Sequence, residues 1–190
     1  ETLGSGPSLV LLHGWALHGG VFAPLVQRLS DRYTLHIVDL PGHGFSRDSE
    51  VPLTLDATVT AILARTPPAA WLAWSLGGLF ALHAAASSSQ VRGLAMIAAT
   101  PRFVRDGDWP HGVEGRVFAQ FGDDLRNDYA GTLERFLAPF GCLAPTRQAD
   151  QIDEGGTHCH GRRPIGHGAV GLRQIHVQVR RPGGRCRQGH

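Results

Sequence analysis

Hydrophobic residues in the first hundred positions form short runs, and the runs alternate between strand and helix character. Nearly continuous apolar runs predict four buried strands, at residues 8–12, 34–39, 69–74 and 92–98. Apolar residues that recur at helical spacing between these runs predict three helices, at residues 19–30, 53–65 and 76–87. Strands and helices in this alternation favour an α/β fold, in which helices flank a parallel sheet.

The third predicted strand ends in a serine that stands at a tight turn. Ser75 follows the apolar run that closes at Trp74, and small residues, Ala73 and Gly77, lie two positions to either side. This strand–turn–helix context predicts a nucleophile elbow, in which the serine has a strained backbone and an exposed hydroxyl. Ser75 is therefore the candidate nucleophile. The N–H of Leu76, at the start of the following helix, is a candidate donor to an oxyanion.

The first predicted strand ends in a second candidate element of an acyl-transfer site. The apolar run at residues 9–12 enters a loop through His13-Gly14-Trp15. The N–H of Trp15 is the second candidate oxyanion donor, while its indole either flanks the acyl pocket or packs over the loop. His13 is expected to shape this loop through local hydrogen bonds. The second strand closes in Pro41, Gly42 and Gly44, which demand a turn.

These motifs, in their order and spacing, resemble the α/β-hydrolase fold. They resemble most closely the carboxylesterases of biotin synthesis that hydrolyse pimeloyl-acyl-carrier-protein methyl ester, the BioH family. The resemblance covers residues 1 to about 138 and rests on LVLLHGW, VDLPGHG, WSLGGL, VRGLAMIAAT, DWP and TLERFLA. It implies that Ser75 forms an acyl-enzyme, that the N–H groups of Trp15 and Leu76 bind the oxyanion, and that no metal or organic cofactor takes part.

A helical cap is expected to begin after the core. The predicted core covers residues 1–102, and the partial cap covers residues 103–138. Apolar residues in the cap lie on one stripe of a predicted amphipathic helix: Leu125, Tyr129, Leu133, Phe136 and Leu137. By resemblance, Phe136, Leu137 and Ala138 line the channel for the acyl chain, and Arg135 meets the acidic carrier protein. Gly131 stands where the family can carry a further basic residue.

Composition changes sharply at residue 139. Residues 1–138 contain 10 arginines and 13 acidic residues, whereas residues 139–190 contain eight arginines and three acidic residues. This tail also holds all three cysteines and five of the 11 histidines, and the family resemblance ends where it begins. We expect residues 139–190 to be irregular, because they offer little apolar surface to bury. The hypothesis is a lost reading frame near residue 138; a lineage-specific extension is the alternative.

The acid and base of a catalytic triad have no counterpart that the resemblance can assign. They follow the nucleophile in α/β-hydrolases, on loops after late strands. The acidic residues between residues 106 and 128 are expected to be solvated, and His83 is expected to pack on a helix flank. His158, Cys159 and His160 lack the ligand spacing of a structural zinc site, so no metal is predicted. Without a positioned base, we expect ester turnover near background.

Charge and hydropathy limit the remaining classes of function. The net charge of +2 gives no reason to expect nucleic acid as a partner, and no run of 18 apolar residues could span a membrane. The first residues do not have the pattern of a signal peptide, so a cytoplasmic monomer is expected. The favoured function is a serine carboxylesterase acting on an acyl-chain methyl ester, and the resemblance implies that acyl carrier protein carries this ester. Alternatives are a general esterase or menaquinone-pathway lyase of the same fold, and a truncated hydrolase without activity.

Overall fold

A five-stranded sheet forms the centre of the first of two units into which the chain divides. The computed structural model describes residues 1–140, and the described parts of the two units are residues 1–115 and 116–140. The strands are β1 (Thr2–Gly4), β2 (Ser8–Leu12), β3 (Thr34–Val38), β4 (Ala69–Trp74) and β5 (Val91–Ile97). Their order across the sheet is β1-β3-β2-β4-β5. The four predicted strands are thereby confirmed.

The sheet is mixed rather than wholly parallel. β2, β3, β4 and β5 are parallel, with Leu12 opposite both Val38 and Ala73. β1 is antiparallel to β3 and was not predicted. Because the carboxyl ends of parallel strands lie at the same edge of a sheet, the loops after β2, β3 and β4 all leave from that edge.

Helices cover both faces of this sheet. The predicted helix at residues 19–30 is a 3₁₀ turn, Gly19–Phe22, followed by α1 (Ala23–Leu29). The other two are α2 (Leu55–Leu63) and α3 (Gly77–Ser87). Alternate residues of β2 point to opposite faces, so that Val10 and Leu12 belong to one buried cluster and Leu11 to another. This double burial explains why β2 is a nearly continuous apolar run.

The second unit contains two helices where the sequence stripe predicted one. α4 (Gly115–Asn127) and α5 (Tyr129–Leu137) are separated at Asp128, and a 3₁₀ turn, Ala138–Phe140, follows. Asp128 is the N-cap of α5, and its carboxylate accepts a hydrogen bond from the Gly131 N–H at 2.9 Å. The single-helix prediction was wrong because this capping signal interrupts the apolar periodicity. The rings of Phe121 and Phe136 lie 5.6 Å apart and join the two helices.

None of the helices within residues 1–140 is long and apolar enough to cross a membrane. The predicted irregular tail, its cysteines and the His158-Cys159-His160 sequence lie outside the described residues. The predicted boundaries at residues 1–102, 103–138 and 139–190 stay predictions.

Candidate active site

Ser75 occupies a sharp turn between β4 and α3. Its φ is 52°, in the left-handed region that side chains other than glycine rarely adopt. The Ser75 N–H donates to the Ile97 carbonyl at 2.9 Å, and the Ser75 carbonyl accepts from the Gly78 N–H at 2.9 Å. These two bonds hold the unfavourable backbone angle in place. The strained backbone predicted for Ser75 at a strand–helix turn is confirmed, and its role as nucleophile stays a prediction.

Small residues allow the loop after β2 and the start of α3 to approach the elbow. A Cβ at Gly77 would lie 2.6 Å from the His13 carbonyl oxygen and 2.8 Å from that of Leu12. A Cβ at Gly14 would lie 3.2 Å from the Cβ of Ser75. The His13-Gly14-Trp15 loop is therefore packed directly against the candidate nucleophile.

Both candidate oxyanion donors belong to this edge of the sheet. Leu76 is the N-cap of α3, whose first N–H groups have no acceptor within the helix and carry its positive dipole end. Trp15 is half-buried in the loop that lies against Ser75, and Ala16 beyond it has a φ of 60°. Backbone N–H groups at a helix terminus and in a fixed loop can stabilise negative charge on a tetrahedral intermediate.

His13 is completely buried beneath the loop, and both of its ring nitrogens have partners. Nε2 accepts a hydrogen bond from the Leu40 N–H at 3.0 Å. Because Nε2 is an acceptor, the proton of the neutral ring lies on Nδ1, which donates to the Gly14 carbonyl at 2.7 Å. Burial lowers the pKa of His13 and so favours the neutral ring. The predicted loop-shaping role of His13 agrees with these contacts.

Asp39 connects the neighbouring loops and was not identified from the sequence. Its Oδ1 accepts from the Gly19 N–H at 2.5 Å, and its Oδ2 accepts from the Phe45 N–H at 2.8 Å. Oδ1 also lies 3.7 Å from Nε2 of His13, and the Asp39 side chain is 9% exposed. An aspartate between an apolar strand and a Pro-Gly turn was the available signal, because a carboxylate can accept the N–H groups that tight turns leave unpaired.

Residues 1–140 provide no base for Ser75. Within this range the Ser75 hydroxyl makes no hydrogen bond. Nε2 of His83 lies 2.8 Å from Asp56, which joins α3 to α2 on a helix flank. His43 Nδ1 donates to the Pro41 carbonyl at 2.9 Å. The ring nitrogens of His13 are both used by the backbone.

The acidic residues of the segment after β5 are exposed, as expected. Asp106 and Asp108 both pair with Arg102. The Gly107 N–H, and then Arg102, lower the pKa of Asp106. These contacts place both carboxylates in a surface ion-pair cluster with Arg102, and not beside a histidine that they could orient as a catalytic base.

The predicted acyl-channel and carrier-contact residues lie on the second unit. Leu137 is buried at the end of α5, whereas Phe136 and Ala138 are exposed. The Arg135 guanidinium donates to the Thr132 hydroxyl at 2.8 Å and lies 3.5 Å from Asp128. Their roles in substrate binding stay predictions. In the described part of the chain, no cluster of three or more acidic, histidine or cysteine side chains could hold a metal ion.

The lowered pKa of His13 predicts a pH-dependent stability. An unfolded histidine titrates near 6.5, above the pKa of the folded side chain, so the unfolded chain binds the proton more tightly. The contribution of His13 is therefore present above about pH 6.5 and is lost as the pH falls towards its folded pKa. The free energy of unfolding should fall less between pH 7.5 and pH 5 in His13→Asn than in the unmodified chain. Urea unfolding at the two pH values measures this, and equal falls would contradict it.

Similarity to known proteins extends over the described core and beyond it. The model of the alpha/beta hydrolase family matches residues 9–174. Over 138 residues, the chain is 71% identical to the pimeloyl-acyl-carrier-protein methyl ester esterase of Xanthomonas axonopodis pv. citri, covering 73% of this chain and 54% of that relative. The same enzyme of Stenotrophomonas maltophilia (strain R551-3) is also 71% identical, with 53% of it covered. The chain thus spans about half the length of the curated relatives it matches.

Solved structures give the same fold. An esterase from Exiguobacterium antarcticum has a TM-score of 0.65 at 26% identity, covering 74% of this chain and 56% of that protein. An alpha/beta hydrolase from Sphaerobacter thermophilus has a TM-score of 0.58 at 26% identity, covering 76% of this chain and 57% of that protein. The resemblance predicted from the sequence motifs is confirmed.

Proposed function

Because the chain belongs to the alpha/beta hydrolase family, we propose that it carries the nucleophile and the oxyanion donors of a serine carboxylesterase. The observation that supports this most directly is the geometry of Ser75. Ser75 has a φ of 52° at the turn that follows β4. A Cβ on Gly14 would lie 3.2 Å from the Cβ of Ser75. A strained serine beside a fixed loop and a helix N-terminus is the arrangement that acyl transfer requires.

The proposed reaction is hydrolysis of a methyl ester through an acyl-enzyme. The Ser75 hydroxyl oxygen attacks the carbonyl carbon, and the negative charge that develops on the carbonyl oxygen is stabilised by the N–H groups of Trp15 and Leu76. The carbon–methoxy bond breaks, methanol leaves with the proton that the serine gave up, and a water then hydrolyses the acyl-serine. Each proton transfer needs a base, which we propose lies outside residues 1–140.

The proposed substrate is an acyl-chain methyl ester, and the relatives indicate its class. Their name is pimeloyl-acyl-carrier-protein methyl ester esterase, and the identity of 71% extends over 138 residues. On this proposal Phe136, Leu137 and Ala138 contact the acyl chain, and Arg135 contacts an acidic carrier protein. Arg135 remains 65% exposed beside Asp128, so its guanidinium can still reach a partner. We also propose that the chain acts as a monomer in the cytoplasm.

A second candidate function follows from the Ser75 hydroxyl, with which none of the residues 1–140 forms a hydrogen bond. A chain that supplied no base for this hydroxyl would acylate slowly and fail to release the acyl group. This is a hydrolase without turnover. The two candidates share the same first half-reaction and differ in the second.

An activated ester tests both candidates. The chain is incubated with p-nitrophenyl butyrate, p-nitrophenolate release is followed, and the protein is digested and mapped by mass spectrometry. We expect a butyryl adduct on the peptide that contains Ser75. Absence of the adduct, or its appearance only on another residue, would overturn the proposed function.

The amount of p-nitrophenolate distinguishes the two candidates. Release limited to about one equivalent per chain would identify the form without turnover. Continued release that disappears in Ser75→Ala would show that the chain contains a base. Single replacements of the five histidines beyond residue 140 would then identify it: His158, His160, His167, His176 and His190.

A further inference from the structure

The carbonyl of Gly14, in the loop after β2, is fixed by two hydrogen bonds. It accepts one hydrogen bond from His13 Nδ1 at 2.7 Å and a second from the Leu17 N–H at 3.3 Å. Gly14 is itself buried, and the His13 ring is completely inaccessible. A bond between a buried ring and an adjacent backbone carbonyl fixes the orientation of one particular peptide group.

That peptide group is the one whose N–H belongs to Trp15. A trans peptide is planar, and its C=O and N–H point in opposite directions. Holding the Gly14 carbonyl towards His13 therefore turns the Trp15 N–H away from His13. We propose that His13 is a positioning residue that orients the Trp15 N–H for oxyanion binding, with Asp39 fixing the far end of the same loop. The purpose assigned to this orientation rests on the proposed function, whereas the orientation itself does not.

The direction of the His13 bond is set by the backbone of the neighbouring loop. The Leu40 N–H can only donate, so Nε2 must accept and Nδ1 must carry the proton. The opposite tautomer would place two donors against each other at Leu40 and would leave the Gly14 carbonyl without a donor from the ring. The segment that follows β3 thus determines how the loop after β2 presents its amide.

Asp39 secures the other end of this loop. Its Oδ1 accepts from Gly19, and its Oδ2 accepts from Phe45, so one carboxylate fixes the loops after β2 and after β3 together. A Cβ at Gly19 would clash with Ile37 Cγ2, which shows how closely this end is packed against β3. With His13 at one end and Asp39 at the other, the loop has little freedom to rotate the Trp15 amide.

Two amide substitutions that differ in length by one methylene group separate the two bonds of His13. The side-chain nitrogen of asparagine can take the place of Nδ1 and donate to the Gly14 carbonyl, whereas the longer glutamine can take the place of Nε2 and accept from Leu40. The readout is the second-order rate constant for labelling Ser75 with a fluorophosphonate, whose phosphoryl oxygen occupies the oxyanion position. We expect labelling within about threefold of the unmodified rate for His13→Asn. We expect labelling at least about tenfold slower for His13→Gln, since a single oxyanion donor is worth about 10²–10³ in rate.

The control is His36→Gln on β3, whose ring bonds Ser8 and Thr2 rather than this loop, and it should label at the unmodified rate. Equal rates for the asparagine and glutamine variants, or an unmodified rate for His13→Gln, would overturn the proposal. Unfolding curves of all three variants verify that the comparison is between folded proteins.

Nuclear magnetic resonance of the unmodified chain tests the same proposal without any reaction. The ¹⁵N shifts of His13 should identify the Nδ1–H tautomer, and the Leu40 amide should be protected from exchange. An Nε2–H ring would overturn the proposal even if the variants did not fold. Failure of the unmodified chain to label at Ser75 would contradict the proposed function, while the tautomer and the Gly14 and Trp15 backbone shifts in the two variants would still decide the positioning.

Discussion

Replacing Ser75 by alanine is expected to lower the rate of fluorophosphonate labelling by at least about 10³-fold, because removal of the nucleophile costs most of the catalysis in serine hydrolases. The fold should hardly change. The Ser75 hydroxyl makes no hydrogen bond within residues 1–140, and the backbone bonds to Ile97 and Gly78 remain available to alanine. We therefore expect a free energy of unfolding within about 0.5 kcal/mol of the unmodified chain.

A glycine at the same position separates chemistry from strain. Ser75→Gly also removes the nucleophile, but it relieves the φ of 52° and should be about 1 kcal/mol more stable than Ser75→Ala. Ser87→Ala, at the end of α3, should label at the unmodified rate because, within residues 1–140, its hydroxyl bonds only to carbonyls of its own helix. Labelling of Ser75→Ala at the unmodified rate would show that another residue reacts.

The elements that the sequence predicted well are those determined by local pattern. β2 and β4 begin and end at the predicted residues, because each is a largely apolar run bounded by turn residues. The strained Ser75 also follows from local constraints, since only small neighbours permit so tight a turn. β1 could not be found in this way. Three residues carry no period, and their antiparallel pairing depends on β3, whose paired residues lie 30 to 34 positions away, from Gly4↔Thr34 to Thr2↔His36.

The parts of the site that were missed depend on loops meeting in space. Asp39 reads as a turn residue in the sequence, and only the fold brings its carboxylate to Gly19 and close to His13. The prediction of a single helix in the cap segment failed for a different reason. Two signals conflicted there, the apolar stripe and the N-capping residue Asp128. A new helix begins at Asp128 because its carboxylate accepts a backbone N–H that the helix start would leave unpaired.

Replacing Gly77 by alanine is expected to destabilise the chain by about 3 kcal/mol, through overpacking that no side-chain rotation can relieve. The added Cβ would meet the carbonyl oxygens of His13 and Leu12 at 2.6 and 2.8 Å. Both belong to the backbone of β2 and its following loop, so β2 or α3 would have to shift. The better helix propensity of alanine, about 1 kcal/mol, offsets only part of this cost.

The same clash should also disturb the proposed oxyanion site. The displaced carbonyl belongs to His13, whose ring holds the Gly14 carbonyl and hence the Trp15 amide. We expect Gly77→Ala to label at Ser75 at least about tenfold more slowly, within the range for loss of one oxyanion donor. Gly122→Ala in α4 is the matched control. The nearest atom to its added Cβ would be the Arg126 guanidinium at 3.9 Å, so it should gain up to about 1 kcal/mol and label normally. Urea unfolding and labelling rates measure both variants. If Gly77→Ala were as stable and reactive as the Gly122 control, the close packing of α3 on β2 could not be what holds the elbow and the loop together.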